Sequence, residues 1–427
     1  MIPDRQQPPI VIAGAGPHGL ATAVHLVTAA PCLRDRLVVV DPAGDWLVQW
    51  RDQFARLDIA HLRSPAVHHR APRAGLLMEH TATHRLPTTG APYGLPTTEA
   101  FEHFCDALID HHRLGSLVTS GVVVDVLAGS DDDALAVTVD VGNDRCSTLI
   151  AERLVIASNP SKSNVPEWAQ DLPSDVVEPA ALVDLGCIGD LGEVQVLIIG
   201  SGLTAAHLAY GAARRGACVT MVCRGRLAER GFDTDPGWLG PRELDRYQTI
   251  DDPAERLRVA RAARGGGTIP SWMLGELRLL AESDKFTIVE LAEVALVDRS
   301  TEGAARFDIT SSDGSQRSVS VDRCWLATGT EPTLDAFPAL DRLRGRIPMV
   351  GLLPIPCRDL TIGRLPVHVT GRLATIELGP AAGNLWGARQ SARRITRSIT
   401  GLDLELEADV ARSPGRQLSG RPFVSRT

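Results

Sequence analysis

The chain has 427 residues, 44% of them hydrophobic and 22% charged, and a formal net charge of −8. That length suggests two or three domains, and the composition excludes disorder as the main state. The acidic balance leaves no overall basic footprint for nucleic acid.

No apolar stretch approaches the roughly 20 residues that a membrane-spanning helix needs, so no membrane partner is expected. The first residues, MIPDRQQPPIVIAGAG, lack the charged-then-apolar layout of a secretory leader, and their apolar run opens a strand. The eight cysteines form no CxxC pair and are too sparse for a disulfide framework. A cytoplasmic protein with reduced thiols is therefore expected.

Taken in chain order, residues 10–41 read as apolar strand, glycine turn, helix and apolar strand. Residues 42–100, rich in His, Pro and Arg, predict loops with short helices. The stretch 117–158 alternates apolar and polar residues and predicts an antiparallel meander, with turns at Gly129–Asp133 and Gly142–Asp144. Residues 194–224 repeat the strand–turn–helix–strand plan as VQVLIIGSGLTAAHLAYGAARRGACVTMVCR. Residues 231–275 predict more loop than core, and 286–329 predict a second meander. Each meander ends in an apolar strand and a small-residue turn: Ala157-Ser158-Asn159 in one, Ala327-Thr328-Gly329 in the other. The residues from about 408 to 427 are polar and predict a frayed tail. Continuous apolar runs such as VLII and LVVV suit strands buried on both faces of a parallel sheet. The chain thus carries two copies of one nucleotide-binding plan, and the fold class is α/β with two Rossmann-like units.

The first turn, Gly14-Ala15-Gly16-Pro17-His18-Gly19, fits GxGxxG between a strand and a helix. Gly14 permits the tight turn, Gly16 lets backbone approach a pyrophosphate, and Gly19 lets the helix pack close to the strand. The helix N-terminus, opened by Pro17, then offers N–H groups to the phosphates. Asp41 ends the second strand, where a carboxylate can accept the adenosine ribose hydroxyls. The second turn, Gly200-Ser201-Gly202-Leu203-Thr204-Ala205, fits GxGxxA. Arg224 stands at the equivalent strand end with Arg226 close by, and no acid is there. An arginine fork suits a 2′-phosphate, which predicts NADPH over NADH.

The order GAGPHGL, a strand-end acid followed by Gly44-Asp45-Trp46, GSGLTA and ATG resembles the class B flavoprotein monooxygenases over roughly residues 9–400. That family includes flavin-containing monooxygenases, Baeyer–Villiger monooxygenases and ornithine/lysine N-hydroxylases. The resemblance implies FAD at the first turn, NADPH at the second, and the two-unit arrangement of glutathione reductase. It also implies oxygen transfer through a C4a-hydroperoxyflavin. Gly44 and Trp46 resemble the glycine–tryptophan pair near the flavin. Residues 371–384, GRLATIELGPAAGN, resemble the C-terminal flavin loop, with Gly371, Gly379 and Asn384 as cofactor candidates. Gly329 of the second small-residue turn belongs with them. The linker 176–185 holds no histidine where the flavin-containing group carries one, which points to the N-hydroxylase side.

These readings predict an FAD unit over 1–185 that resumes at 322–407, with an NADPH unit inserted at 186–321. The second small-residue turn is expected to return the chain to the first sheet. A small nucleophilic substrate, an amine foremost, and oxygen are the expected partners; a homo-oligomer stays open. The alternative is an FAD- and NAD(P)H-dependent reductase or dehydrogenase that inserts no oxygen. No side chain is named as catalytic, because the flavin carries the chemistry. Trp50, Arg63 and Trp238 are the candidates to line its pocket. Arg63 resembles, by its distance from Trp46–Trp50, the basic residue that holds a substrate carboxylate in N-hydroxylases. A cofactor phosphate or a structural ion pair are its other openings. His80 and His84 have chelating spacing, but no metal is expected; the histidines of 61–112 are expected near the mouth of the flavin cleft or on the surface. Cys218 and Cys223 share the spacing of a redox pair but fall on one strand and face opposite ways.

Overall fold

A computed structural model describes residues 7–66, 71–73, 75–89, 94–129, 133–170, 177–299 and 305–404. The expected polar tail at 408–427 and most of the expected turn at Gly129–Asp133 lie outside them.

Two five-stranded parallel sheets organise the chain. In the first, Ile10–Ala13 lies between Leu37–Asp41 and Arg153–Ile156, in register Val11 with Val38 and Leu154. Val118–Ser120 extends it beyond Leu37–Asp41, and Val367–Val369 closes the other edge. All four residues of IVIA are buried. A strand with neighbours on both edges and packing on both faces has no side left for a polar residue, which is why this segment does not alternate. In the second sheet, Gln195–Ile199 lies between Cys218–Val222 and Arg323–Leu326. Phe286–Val289 and Val177–Pro179 form its edges.

The strand pairing departs from the expected path of the chain at one strand. Arg323–Leu326 does not return the chain to the first sheet; it pairs with Gln195–Ile199 of the second. The return is made by Val367–Val369, beside Arg153–Ile156. The physical reason lies in the repeat itself. Arg323–Leu326 holds in the second sheet the place that Arg153–Ile156 holds in the first, so each meander closes its own sheet. The edge strands are what cross over. Val177–Pro179 precedes the second unit yet joins its sheet, and Val367–Val369 follows it yet joins the first.

A three-stranded antiparallel sheet accompanies each parallel one: Val122–Ala128 with Leu135–Asp140 and Cys146–Ala151, then Ala292–Arg299 with Ala305–Ser311 and Gln316–Val321. The expectation of loop over 231–275 gives way to helices at Pro241–Gln248, Pro253–Arg264 and Ser271–Leu280. Their starts follow ordinary capping chemistry: Asp252 accepts the Ala254 N–H, and Pro253 at the first helical position needs no partner for a missing donor. Among the described residues no helix is long and apolar enough to cross a membrane.

Candidate functional site

Both glycine turns are built against a small-residue turn. Gly14 has φ +113°, and a Cβ there would lie 2.7 Å from Ser158 N and 2.8 Å from Ala157 C. Gly200 has φ +152°, and its Cβ would lie 2.3 Å from the Ala327 carbonyl oxygen. The strand exit after each meander thus presses on the first glycine of its own unit, so only glycine fits. Gly19 is held as tightly, with the Gly14 carbonyl oxygen 2.0 Å from where its Cβ would be. Gly16 differs: a Cβ there meets nothing within 4 Å. Its lack of a side chain therefore serves no packing in the protein and leaves an approach for a ligand to the start of helix Pro17–Ala29.

Asp41 is drawn onto this turn. Its Oδ2 accepts the Ala15 N–H at 2.8 Å and its Oδ1 the Ala43 N–H at 3.0 Å. Each oxygen keeps a second lone pair for a ribose hydroxyl. The following segment is tied in as well, since Leu47 N–H donates to the Ala15 carbonyl at 2.9 Å. Gly44, with φ +71°, allows that bend. Trp46 does not face a cleft. It is buried in the main core, and its indole N–H donates to the Leu114 carbonyl at 3.1 Å. Trp50 packs on Phe54 and Phe101, with ring centroids 4.0 and 5.2 Å apart.

The loop 371–384 meets the first turn. A Cβ on Gly371 would lie 3.4 Å from Asn159 Oδ1 and 3.7 Å from His18 Cε1, which brings helix start, strand exit and loop together. Asn384 caps helix Leu385–Thr400, its side chain accepting the Gly387 N–H at 3.1 Å. Gly379 lies under Trp238, whose ring is 3.6 Å from its would-be Cβ. Tyr247 is buried beside Trp238, and its hydroxyl lies 3.0 and 2.9 Å from the Thr375 and Ile376 carbonyls. The nearly buried carboxylate of Glu377 is gripped by Arg256 at 2.9 Å and Arg394 at 2.6 Å. Neither Tyr247 nor the Arg256–Glu377 pair was legible in the sequence, because no local pattern marks a side chain that bonds across more than a hundred residues.

Arg372 points its guanidinium at Thr330, with Nη1 donating to the carbonyl at 2.9 Å and Nη2 to Oγ1 at 2.8 Å. Burial, and then the nearby Arg264 charge, lower its pKa to about 10. It remains a cation at neutral pH, at the second position of the loop 371–384.

Arg63 turns its guanidinium to groups of the protein itself. Its Nη1 pairs with Asp233 at 2.8 Å. Its Nη2 donates to Thr268 Oγ1 at 2.7 Å and to the carbonyls of Arg230 and Phe232 at 2.8 and 2.9 Å. Nε donates to the Gly231 carbonyl at 3.1 Å, and Nη1 to the Thr268 carbonyl at 3.3 Å. A guanidinium has five N–H donors, and these six contacts occupy them. Of the openings left by the sequence, the structural ion pair is the one observed: Arg63 straps its loop to 230–233 and to Thr268.

At the second turn, Gly202 opens helix Leu203–Arg214, which runs on through Thr204 and Ala205. Arg224 and Arg226 are exposed just beyond strand Cys218–Val222, and among the described residues neither is in a salt bridge. Gly329 has φ +83°, and its carbonyl accepts the Asn164 N–H at 3.0 Å. Cys223 is buried, donates its thiol to the Gly200 carbonyl at 3.2 Å, and is pushed by burial up to about 12. It is a packing residue of the turn, not half of a redox pair. His80 is buried between two helices, 2.8 Å from His103 through ring nitrogens, with the His84 ring centroid 4.4 Å away. Among the described residues no group of three or more His, Cys, Asp or Glu is arranged to hold a metal.

No family model matches the chain, and no curated protein sequence matches it. Solved structures do. A Kutzneria ornithine N-hydroxylase, solved with reduced FAD, NADP+ and L-ornithine, superposes with a TM-score of 0.75 at 16% identity, covering 94% of this chain and all 100% of that one. A cadaverine monooxygenase of desferrioxamine biosynthesis from Erwinia amylovora, solved with FAD, gives 0.73 at 17% identity, covering 98% of each chain. A bacillithiol disulfide reductase from Bacillus cereus gives 0.60 at 16% identity, covering 93% of this chain and 99% of that one. The chain shares the mixed α/β fold of these proteins over 93–98% of its length.

Proposed function

We propose that the protein is an NADPH-dependent FAD monooxygenase that N-hydroxylates a small amine. One observation carries the reading: two glycine turns, each opening a helix and each backed by its own strand exit, in one chain. Two dinucleotide sites make a hydride path, and the solved structures of similar shape include an ornithine N-hydroxylase solved with both dinucleotides.

On this reading the FAD unit comprises the residues before Val177 and after Leu326, and the NADPH unit the stretch between, in the glutathione-reductase-like arrangement. Gly14, Gly16 and Gly19 would receive the FAD pyrophosphate, and Asp41 the ribose. Residues 379–384 would meet the pyrimidine end. When bound, FAD supplies the hydride acceptor and the oxygen-activating group. The chain's own residues position and shield. N–H groups at the start of helix Pro17–Ala29 face phosphate charge. Trp238 and Tyr247 brace the 375–379 backbone and exclude water beside it. Arg372 places a fixed positive charge near the loop, which favours electron-rich flavin. Arg63 is spent on the strap, so a substrate carboxylate has no partner there. That favours an amine without one, such as a diamine, over an amino acid.

The test is NADPH oxidation by the FAD-loaded protein with cadaverine, putrescine, lysine and ornithine, scored by hydroxylamine formed per NADPH. Hydroxylamine in near-equal amount with one of them is the expected result. Peroxide alone with every amine would favour the second reading, a reductase that inserts no oxygen. The reductase of like shape motivates that reading; against a thiol relay through the Cys218/Cys223 spacing, Cys223 is buried and its thiol donates to the Gly200 carbonyl at 3.2 Å.

A further inference from the structure

Three glycines in a row, Gly265, Gly266 and Gly267, follow helix Pro253–Arg264. The structure brings them against the second glycine turn. A Cβ on Gly267 would lie 2.6 Å from both N and Cα of Gly202 and 2.9 Å from Ser201 C. A Cβ on Gly202 would in turn meet Gly267 Cα at 3.4 Å. In this class of turn the bare side of the second glycine is where a pyrophosphate comes in, because a side chain there would block it. At Gly16 of the first turn that side meets nothing within 4 Å. At Gly202 it is covered by Gly267.

We propose that residues 265–267 are a gate over the second dinucleotide site, shut against Gly202 in this structure and displaced when the coenzyme binds. The proposal rests on reading Gly200–Ala205 as a dinucleotide turn. Both ends of the gate are anchored. On one side the Gly265 N–H closes the helix onto the Arg261 carbonyl at 2.9 Å. On the other, Thr268–Ile269 pairs with Ala228–Glu229, and Arg63 holds Thr268 by its hydroxyl and its carbonyl. Between the anchors stand three residues without side chains, Gly265 already at φ +66°. Such a segment absorbs large backbone rotations at small cost, which is what a hinge needs. Arg63 is the latch, since its strap fixes the residue at which the gate ends.

The experiment compares NADP+ binding to FAD-loaded wild type, Gly267→Ala and Gly266→Ala by calorimetry. Neither glycine has a left-handed φ, so alanine is tolerated by the backbone at both. The new Cβ at 267 cannot coexist with the shut contact, whereas at 266 it meets nothing within 4 Å. A site shut most of the time has its apparent Kd raised by the reciprocal of the open fraction. Gly267→Ala should therefore bind NADP+ about three- to tenfold more tightly, and Gly266→Ala within about twofold of wild type. Weaker or unchanged binding in Gly267→Ala overturns the gate and makes the segment a wall of the site or a bystander. Hydrogen exchange on the wild type gives a readout that needs no variant: NADP+ should speed exchange of the 265–268 amides, and slower or unchanged exchange overturns the proposal. If neither wild type nor variants bind NADP+, the dinucleotide reading of the second turn fails, and the gate with it.

Discussion

Gly16→Val separates a cofactor site from a structural turn. Gly16 has φ −75° and ψ −170°, a conformation valine adopts without strain, and its Cβ meets nothing within 4 Å. The apoprotein should therefore keep its stability within about 0.5 kcal/mol. The branched side chain would instead stand where the pyrophosphate approaches the helix start. Pro17 has no N–H, so the donors there are those of Gly16, His18 and Gly19. Losing two charge-assisted contacts at about 1.5–3 kcal/mol each removes about 3–6 kcal/mol, roughly a hundred- to ten-thousand-fold in FAD affinity. The contrast is Gly14→Ala. There φ is +113° and the Cβ would strike Ser158 N at 2.7 Å. The dihedral alone costs about 1–3 kcal/mol, and the collision adds to it, so this variant should lose fold and flavin together. The assay pairs thermal unfolding of apoprotein with flavin absorbance per polypeptide. A Gly16→Val protein that purifies with full flavin, or one that unfolds like Gly14→Ala, would refute the reasoning.

Three further outcomes are expected. Arg63→Ala should cost about 2–4 kcal/mol, because it strands several carbonyls and Asp233 at once; chemical denaturation measures it, and a loss under about 0.5 kcal/mol would show that the strap holds nothing. Arg224→Ala should raise the KM for NADPH about ten- to a hundredfold and leave NADH nearly unchanged, with a smaller effect of the same sign for Arg226→Ala; equal loss with both coenzymes would assign Arg224 to the fold instead. Burial lowers the pKa of His207 and His368 to about 4 in the folded protein. Their depressed values mean that the unfolded chain takes up protons first, so the stability each contributes is complete above about pH 6.5 and drains away between there and pH 4. The loss is on the order of 3 kcal/mol for each histidine. His368→Asn should flatten that acid limb in urea melts taken across the range, and an unchanged limb would place the titration elsewhere.

Much of this architecture is local and therefore readable from the chain. IVIAGAGPHGL and VLIIGSGLTAA state strand, turn and helix in eleven residues each, and the structure builds both turns as read. Exchange of the edge strands was not readable. Val177–Pro179 and Val367–Val369 are three residues long and carry no signal of which sheet they join, since that is fixed by packing far away in the sequence. Arg63 shows the same limit more sharply. Its residue type suits an anion, but its donors are claimed by four backbone carbonyls, a hydroxyl and Asp233, none of them near it in sequence. Trp46 was placed near the flavin by resemblance, and its burial and its bond to Leu114 depend on a core that no motif displays. The helices at Pro241–Gln248, Pro253–Arg264 and Ser271–Leu280 run against the loop expected over 231–275, although Asp252-Pro253 is an ordinary helix start, because the glycine and proline content of that stretch masks it.

The central claim is that oxygen is inserted into an amine. FAD-loaded protein, NADPH and cadaverine under isotopically labelled dioxygen, followed by mass spectrometry of the product, test it directly. The account predicts a hydroxylamine carrying one labelled oxygen atom, with label absent when only the water is labelled. NADPH consumption with labelled peroxide and unchanged amine, for cadaverine and for every other small amine tried, would contradict it.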